Sequence, residues 1–468
     1  MKEKVKAAGS LPWKHNFGYN LGNLSNSLMF TMVAMYLTYF YTDYLKIGAA
    51  MAGTLFLVAR TWDALNDPIM GYLVDQTHSR WGRFRPYILF GAIPVAVFFV
   101  LCFYVPDMSL EGRIIWAFAT YIPLGMAQTL TLIPWHAQMV VITKDPAERS
   151  GVAGLGMVLF QLGALIVAAL AIPLKGLFPK EIGFFAVAAI FAGVGTIAWY
   201  ISFASTRKYD LPANYERENR ETTGLADIRS RLEVIKTNKP FLLLIAVEFL
   251  AYTAITVTQA TIIYFFRYYL KMESLFAPIM GGFALMTAIG AMTMATVSKK
   301  KGKRKIYMLS CVGFSVFMLA VFISFRVHGT TEPYQAGFIW FFSILVLIAG
   351  FFNGPLVALI WSLMPDTVEY GEWKTGIRSE GVLYSVFSFI MKAGAAVGGA
   401  LTGFLLAFFK YVPNQEQTDE TKFGILLMLF ICPIVLQMLA FLVMMIYDLD
   451  EDRHREIVSE LEQRKKIQ

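Results

Sequence analysis

Apolar residues recur along this chain in long runs that are separated by short polar loops. Each of twelve runs is close to the roughly 20 residues that a helix needs to cross the hydrocarbon core of a bilayer. The runs are continuous rather than alternating, which favours helices over the strands of a barrel. The pattern predicts an all-α integral membrane protein with twelve transmembrane helices. The predicted limits are 16–41, 48–75, 86–106, 113–141, 150–173, 183–203, 240–268, 276–298, 306–327, 336–364, 381–409 and 423–447.

The longest polar stretch lies in the middle of the chain and divides the predicted spans six and six. Inside it, the apolar spacing from Leu225 to Lys236 predicts a short helix on the cytoplasmic face. We therefore expect two six-helix bundles joined by a linker. The predicted parts are an N-terminal bundle at 1–205, a cytoplasmic middle loop at 206–239, a C-terminal bundle at 240–447 and a cytoplasmic tail at 448–468.

The two halves are weakly repetitive. After the second span, residues 79–86 form a short loop in which Gly82 lies among arginines. After the eighth span, residues 297–305 place Gly302 among lysines and an arginine. Two six-span halves with matching loops suggest a parallel repeat whose substrate site lies between the halves. The alternative is that any cytoplasmic loop collects Lys and Arg.

Composition and charge agree with the membrane interpretation. Only 16% of the residues are charged and the mean hydropathy is +0.55, whereas soluble domains average about 25% charged residues. The net charge of +8 is concentrated in alternate loops, which is the positive-inside pattern and not a nucleic-acid surface. It predicts that both termini are cytoplasmic. No cleavable signal is expected, and the three cysteines fall in apolar spans, where we expect neither a disulfide nor a metal site.

Two aspartates interrupt the second predicted span. Arg60, Asp63, Asn66 and Asp67 are three, three and one residues apart, which places them on one stripe of a helix. A carboxylate at membrane depth costs roughly 2.5–3.5 kcal/mol on insertion scales, so the stripe indicates a function. Its oxygens suit a hard cation such as Na⁺, and the same carboxylates can take a proton instead. The structural alternative is a charge network that holds helices together.

Other spans also carry polar or aromatic residues that a ligand can use. Lys392 lies inside the eleventh span, where a buried lysine needs a partner such as the second-span acids; the alternative is a snorkelling side chain. The single amides and hydroxyls serve either a substrate or ordinary interhelical hydrogen bonds. The tryptophans are either sugar-stacking platforms or interior packing. The candidates are Asn23, Asn26, Ser27, Thr129, Trp135, His136, Gln138, Trp361 and Tyr384.

Enzyme motifs are missing from the sequence. It contains no Gly-x-Ser-x-Gly, no His-Glu-x-x-His, no Walker loop and no Cys-x-x-Cys. We therefore expect a protein that is not an enzyme, uses no cofactor and binds no metal beyond a transported cation.

Four segments resemble a known family. They are Tyr41-Thr42-Asp43, Gly53–Pro68, Ser79–Pro86 and Asp366–Gly381. Together they resemble the melibiose permease-like glycoside–pentoside–hexuronide:cation symporters of the major facilitator superfamily. The resemblance implies two six-helix bundles of the major facilitator fold. It also implies a monomer in the bacterial cytoplasmic (inner) membrane that imports a sugar or glycoside with Na⁺ or H⁺ by alternating access.

The cation half of the family site matches this sequence position for position. The resemblance assigns cation binding to Asp63, Asn66, Asp67 and Thr129. It assigns coupling to Lys392. Arg60, on the same stripe as the acids, is a further coupling candidate, which we expect to pair with Asp63 when no cation is bound.

The sugar half departs from the family pattern. Ser27 and Leu132 stand where melibiose-type members have acids, His136 replaces a tryptophan, and Met157 replaces an arginine. A neutral glycoside or small oligosaccharide is therefore expected. The alternatives are an anionic sugar such as a glucuronide or sulfosugar, a lysolipid, or a sugar sensor that does not transport. Expected substrate contacts are Asn23, Asn26, Ser27, Trp135, His136, Gln138, Trp361, Tyr384 and Lys392.

Charged residues at the cytoplasmic ends of both halves form a candidate gate. We expect charge pairs between them to hold the inner side shut. They are Asp75, Arg80, Arg83, Arg85, Asp366, Glu369, Glu372 and Arg378.

Overall fold

A computed structural model describes residues 11–77, 79–143, 146–210, 234–328, 334–377 and 379–467. Within these ranges the regular structure is helical. The predicted helix at 225–236 falls mostly outside the described residues, as do Arg378 and the side chain of Asp75.

The first six helices overlap the first six predicted spans. The helix α1 runs through Trp13–Met32, a π-helical turn at Val33–Leu37, and Thr38–Asp43. It is followed by α2 (Ala49–Gln76), α3 (Arg85–Cys102), α4 (Leu110–Ala137), α5 (Pro146–Lys175) and α6 (Gly183–Ser205). Their ends lie within a few residues of the predicted limits.

The second six helices follow the same order. The helix α7 runs through Lys239–Tyr264 and a π-helical turn at Phe265–Tyr269. Next come α8 (Phe276–Lys301), α9 (Lys303–His328), α10 (Ala336–Thr375), α11 (Glu380–Phe408) and α12, which runs from Asp419–Leu426 through a π-helical turn at Leu427–Ile431 to Cys432–Ile446. A final helix α13 (Glu451–Ile467) follows.

Nine of these helices, counted over the described residues, are long and apolar enough to cross a membrane by length and composition. The three predicted spans outside that group are α1, α2 and α4. These three carry most of the polar residues that the sequence singles out, including Asn23, Asp63 and Thr129. Their lower hydropathy therefore follows from the candidate site itself.

The chain divides into two compact units. One consists of Met1–Phe40 and Thr61–Asn219, and the other of Tyr41–Arg60 and Arg220–Gln468. In the first unit α1 packs against α5 and α6, and α3 packs against α4 and α6. In the second, α7 packs against α11 and α12, and α9 packs against α10 and α12. The same pairs meet at equivalent places, as a parallel repeat requires.

The predicted end of the tenth span was wrong. The prediction stopped it at 364, before the charged run that follows, but α10 continues to Thr375. Its acids are accommodated because Asp366 pairs with Lys303 and Glu369 pairs with His454. The helix ends at Gly376, whose φ of 74° is the left-handed conformation that glycine adopts at helix C-termini.

Candidate functional site

The predicted cation residues of the first unit meet between α2 and α4. The Thr129 hydroxyl donates a hydrogen bond to the Asp67 carboxylate, with 2.9 Å between Oγ1 and Oδ1. One turn away, Asp63 lies against Gly125, where an added Cβ would stand 2.5 Å from Asp63 Oδ1. The glycine therefore lets this carboxylate approach the backbone of α4. Both contacts join residues four apart on each helix, so the two carboxylates lie on one face.

Burial supports a site here rather than a solvated surface. Asp63 and Thr129 are 6% and 5% exposed, and Asp67 is half-buried. The amide nitrogen of Asn66 is buried and, within the described residues, has no hydrogen-bond partner. Buried polar atoms are normally satisfied. Two carboxylates, an amide and a hydroxyl together supply the oxygen ligands that a hard cation prefers.

The predicted coupling residues belong to the second unit. Arg60 ends the segment Tyr41–Arg60 of that unit. Lys392 lies on α11 and is half-buried. The pairing of Lys392 with the second-span acids stays a prediction.

Polar residues of α1 face small residues of α5. Asn23 donates from Nδ2 to Asn20 Oδ1 at 3.0 Å, and an added Cβ at Gly156 would stand 2.5 Å from that Nδ2. Ser27 is fully buried and donates to the carbonyl of Phe160 at 2.5 Å. For Ser27 the structure therefore shows an ordinary interhelical hydrogen bond, which was the alternative to a substrate contact. Asn26 is half-buried.

Trp135 lies in the core of the first unit. It is 1% exposed, its ring stacks on Tyr19 at 4.9 Å and meets Trp199 edge-on at 5.5 Å. Its indole nitrogen donates to the Ser202 hydroxyl at 3.2 Å. Of the two interpretations of this residue, the structure favours interior packing over a sugar platform.

The two polar candidates next to Trp135 differ from each other in exposure. His136 is exposed, whereas Gln138 is fully buried and its amide lies 3.4 Å from Asp210 Oδ2.

In the second unit Trp361 is 39% exposed and meets Phe387 edge-on at 5.2 Å. Tyr384 is half-buried. Among the aromatic candidates, Trp361 has the more accessible ring.

Two candidate gate arginines of the first unit are held by an acid that the sequence analysis missed. Asp210 is fully buried just beyond α6. Its carboxylate accepts hydrogen bonds from the backbone N–H groups of Arg83 and Arg85 at 2.9 and 2.8 Å. The side chain of Arg85 donates to the carbonyl of Phe203 at 3.0 Å. The guanidinium of Arg80 lies 4.1 Å from the ring centre of Trp81.

The candidate gate acids of the second unit are paired inside that unit. Lys303 Nζ lies 2.6 Å from Asp366 Oδ2, and His454 Nε2 lies 2.5 Å from Glu369 Oε2. The contact with Glu369 raises the pKa of His454, and the nearby charge of Asp366 adds to the effect. Glu372 is buried at 9% exposure. No pattern in the sequence around His454 indicates this contact, because its partner Glu369 lies on a different helix, 85 residues away.

A cluster in the second unit surrounds Asp43 of the Tyr41-Thr42-Asp43 motif. The carboxylate is 3% exposed and accepts hydrogen bonds from Thr42 at 2.6 Å, from Tyr411 at 2.7 Å and from Tyr268. Asn414 donates to the Asp43 carbonyl at 2.6 Å. All of these contacts lie within the second unit, to which Asp43 belongs through the segment Tyr41–Arg60.

Comparison with known proteins covers almost the whole chain. Residues 18–451 match the family described as MFS/sugar transport protein. The isoprimeverose transporter of Lactiplantibacillus pentosus is 32% identical over 97% of this chain and 92% of its own length. The glucuronide carrier protein homolog of Escherichia coli K12 is 31% identical over 98% and 97%. The inner membrane symporter YicJ of the same strain is 30% identical over 97% and 95%.

Solved structures share the fold at low sequence identity. A bacterial homolog of the human lysosomal transporter Spinster, inward-facing and unoccupied, superposes with a TM-score of 0.65 and 13% identity. The match covers 94% of this chain and 98% of that one. The likeness supports the fold alone.

Proposed function

Because the chain belongs to the MFS/sugar transport protein family, we propose that it imports a sugar or glycoside together with Na⁺ or H⁺ by alternating access. The chain is a multi-pass membrane transporter of the major facilitator fold, not an enzyme, and its family relatives include a sugar transporter and a symporter. The coupling ion, the substrate and the orientation in the bacterial inner membrane are the parts that we propose.

One observation carries the coupling proposal: the hydrogen bond from Thr129 to Asp67, beside the buried Asp63. A buried pair of carboxylates costs free energy unless a cation or a proton neutralises it. Cation binding would cancel that charge and release Lys392 for the substrate. The cycle needs no other cofactor.

The substrate proposal is a neutral glycoside or small oligosaccharide. Its support is chemical: among the nine substrate contacts that the sequence predicts, only Lys392 and His136 are basic, whereas an anionic sugar attracts charge-assisted partners. The runner-up is an anionic sugar, which the glucuronide carrier relative favours. A lysolipid is a third outcome of the same test.

We also propose that both termini are cytoplasmic, because the basic loops alternate along the chain. The candidate gate, from Asp75 to Arg85 and from Asp366 to Arg378, then lies on the cytoplasmic side. Accessibility of single cysteines introduced in the C-terminal tail, residues 448–468, tests the orientation. Labelling from the periplasmic side only would overturn it.

The decisive experiment measures substrate-induced ion entry into proteoliposomes that contain the purified transporter. The panel includes isoprimeverose, neutral methyl glycosides, a glucuronide and a lysolipid, each with Na⁺ or with a proton gradient alone. We expect sugar-dependent ion entry in the wild type and its loss in Asp63→Cys and Asp67→Cys. Asp107→Asn, an exposed loop position, is the control that should keep both fluxes.

The outcomes separate the alternatives. Sugar flux without a coupled ion, or coupling that survives both aspartate substitutions, would assign the stripe a structural role. Binding of a sugar without flux would identify a sensor. Accumulation of the glucuronide alone would replace the neutral glycoside by the anionic sugar.

A further inference from the structure

A second acidic group lies inside the membrane-spanning part of the chain, far from the cation site in sequence. Glu248 is on α7, nine residues beyond its first residue Lys239, which is about 14 Å along the helix axis. The residue is 2% exposed. Neither the proposed cation site nor the proposed substrate contacts use it.

Within the described residues the Glu248 carboxyl makes no hydrogen bond and no ion pair, and no basic group acts on it. Its helix packs against α10, α11 and α12. Two tyrosines are close enough for the charge of Glu248 to act on them: Tyr252, one turn along its own helix, and Tyr307 on α9. Cys311 is four residues from Tyr307 on α9, and its charge also acts on that tyrosine.

Further buried polar atoms near Glu248 are also unsatisfied. The hydroxyls of Tyr307 and Ser310 belong to fully buried residues and have no partner within the described residues. These two residues are three apart on α9 and share a face. Next to them, the Cys311 thiol is 3.8 Å from Gln437 Oε1 on α12. A buried hydroxyl without a partner destabilises the fold, so these polar atoms indicate that a ligand binds nearby.

The ligand that fits is a proton. An isolated ionised carboxylate in a low-dielectric interior is far more costly than its neutral form. A protonated carboxyl has one O–H group that donates and a carbonyl oxygen that accepts. A tyrosine hydroxyl can accept from the first or donate to the second. A metal cation needs several oxygens with compensating charge, and this group has one carboxyl, whereas the first unit has two, with an amide and a hydroxyl.

We propose that Glu248 is a proton-binding site of the second unit, with Tyr307 as the hydrogen-bond partner of its carboxyl. The carboxylate takes one proton from water to form the neutral acid and returns that proton to water when the site opens; no other bond changes. Glu248 belongs to the second unit, whereas Asp63 and Asp67 belong to the first. It gives the transporter a proton to exchange even when Na⁺ is the ion bound by the aspartates.

Infrared difference spectroscopy of the purified, reconstituted transporter tests the proposal without any transport assay. The wild type should show the C=O stretch of a protonated carboxyl at neutral pH, and titration to alkaline pH should remove it. Glu248→Gln should lose this signal completely. Glu416→Gln, the same substitution at an exposed, ion-paired glutamate, should keep it.

A second variant protects the test against misfolding. Tyr307→Phe keeps the ring and removes the hydroxyl, so it should shift the frequency of the same C=O stretch without abolishing it. A wild-type spectrum whose carboxyl signal is unchanged in folded Glu248→Gln would overturn the proposal. So would a Glu248-dependent signal that is absent at neutral pH and present only in acid.

The infrared spectra test the proton site and the flux assay tests the proposed function, so either proposal can be rejected while the other stands. If no sugar is transported but the Glu248 signal is present, the proton site stands and the proposed function falls. If sugar-dependent ion entry is normal and Glu248→Gln changes neither the spectrum nor the pH dependence of flux, only the proton site falls.

Discussion

The carboxylate of Asp210 accepts a hydrogen bond from the backbone N–H of Arg85, the first residue of α3, at 2.8 Å. It also accepts from the N–H groups of Arg83 and Phe84. The first N–H groups of a helix have no partner within the helix, and an anion there is favoured by the helix dipole. An acid that follows α6, 125 residues later in the sequence, therefore caps the first turn of α3.

The second unit repeats this arrangement. Glu451, just after α12, accepts a hydrogen bond from the backbone N–H of Lys303, the first residue of α9. Each start is preceded by a glycine with a positive φ, 101° at Gly82 and 92° at Gly302. The matching glycines in the two basic loops were the sequence signal for the repeat, and the capping acids explain their position.

Replacing Asp210 by Asn should destabilise the first unit. The substitution keeps the size of the side chain but removes the charge that strengthens at least three hydrogen bonds to backbone N–H groups. The expected loss is about 1–3 kcal/mol, measured as a lower midpoint of thermal unfolding in detergent. Asp107→Asn, in an exposed loop, should leave the midpoint unchanged. Equal midpoints for the two variants would show that the cap is not stabilising.

Replacing Gly82 by Ala should cost more than replacing another glycine of similar conformation. A Cβ at residue 82 would lie 2.4 Å from the Asp210 carbonyl oxygen, and the left-handed backbone adds roughly 1–2 kcal/mol. Gly48 has a φ of 82°, and no atom of the described residues lies within 4 Å of the added carbon, so Gly48→Ala incurs the backbone cost alone. The difference in unfolding midpoint measures the clash. A Gly48→Ala variant as unstable as Gly82→Ala would refute this account.

Replacing Thr129 by Val should weaken cation binding while Thr129→Ser retains it. Valine has nearly the same shape as threonine but cannot donate to Asp67 Oδ1. A hydrogen bond to a charged group contributes roughly 1.5–3 kcal/mol, so the apparent cation affinity should fall about tenfold or more. The measurement is the ion concentration that gives half-maximal sugar uptake. Equal values for the valine and serine variants would remove Thr129 from the site.

The number and the limits of the helices were predictable from sequence, because a segment that crosses the lipid must be apolar, about 20 residues long and hydrogen-bonded within itself. Twelve apolar runs gave twelve helices among the described residues, with ends mostly within a few residues of prediction. The exception was α10, whose predicted end at 364 lies just before Asp366 and Glu369, whereas the helix runs to Thr375. Their partners Lys303 and His454 come from other helices, and hydropathy along one segment carries no such information.

The candidate site was predictable in type but not in detail. The spacing of Asp63 and Asp67 identified a face of α2, and family resemblance assigned the cation-binding role of Thr129. Nothing local indicated that Trp135 would be covered by Tyr19 and Trp199. Burial of an aromatic residue depends on residues distant in sequence, so sequence pattern alone could not separate packing from stacking on a sugar.

The two tryptophans give a direct test of that distinction. Trp135→Ala should destabilise the protein by about 3–5 kcal/mol, because it removes a buried ring, and should lower uptake of every sugar in proportion to the folded fraction. Trp361→Ala removes a ring that is 39% exposed and should leave the unfolding midpoint nearly unchanged while altering the half-saturating sugar concentration. A Trp135 variant with normal stability and altered sugar preference would reverse the assignment.

The contact between His454 and Glu369 should make docking of α13 depend on pH. The pKa of His454 is raised above its ordinary value near 6.5, chiefly by the hydrogen bond to Glu369. Asp366 raises it further, while burial and the charge of Lys303 oppose the increase. A group with a raised pKa in the folded state contributes stability that is complete below about pH 6.5 and is lost as the pH rises through the raised value.

His454→Gln should therefore flatten the pH dependence of stability between about pH 6 and 9. The side chain of His454 is 22% exposed, so the effect should be no more than about 1 kcal/mol. The measurement is the rate of proteolytic cleavage at the junction before α13 together with the unfolding midpoint. Glu369→Gln should flatten the curve to the same extent, and the double variant should add nothing, because both substitutions remove one interaction. Additive effects, or a wild-type tail more resistant at pH 9 than at pH 6, would show that another group controls the docking.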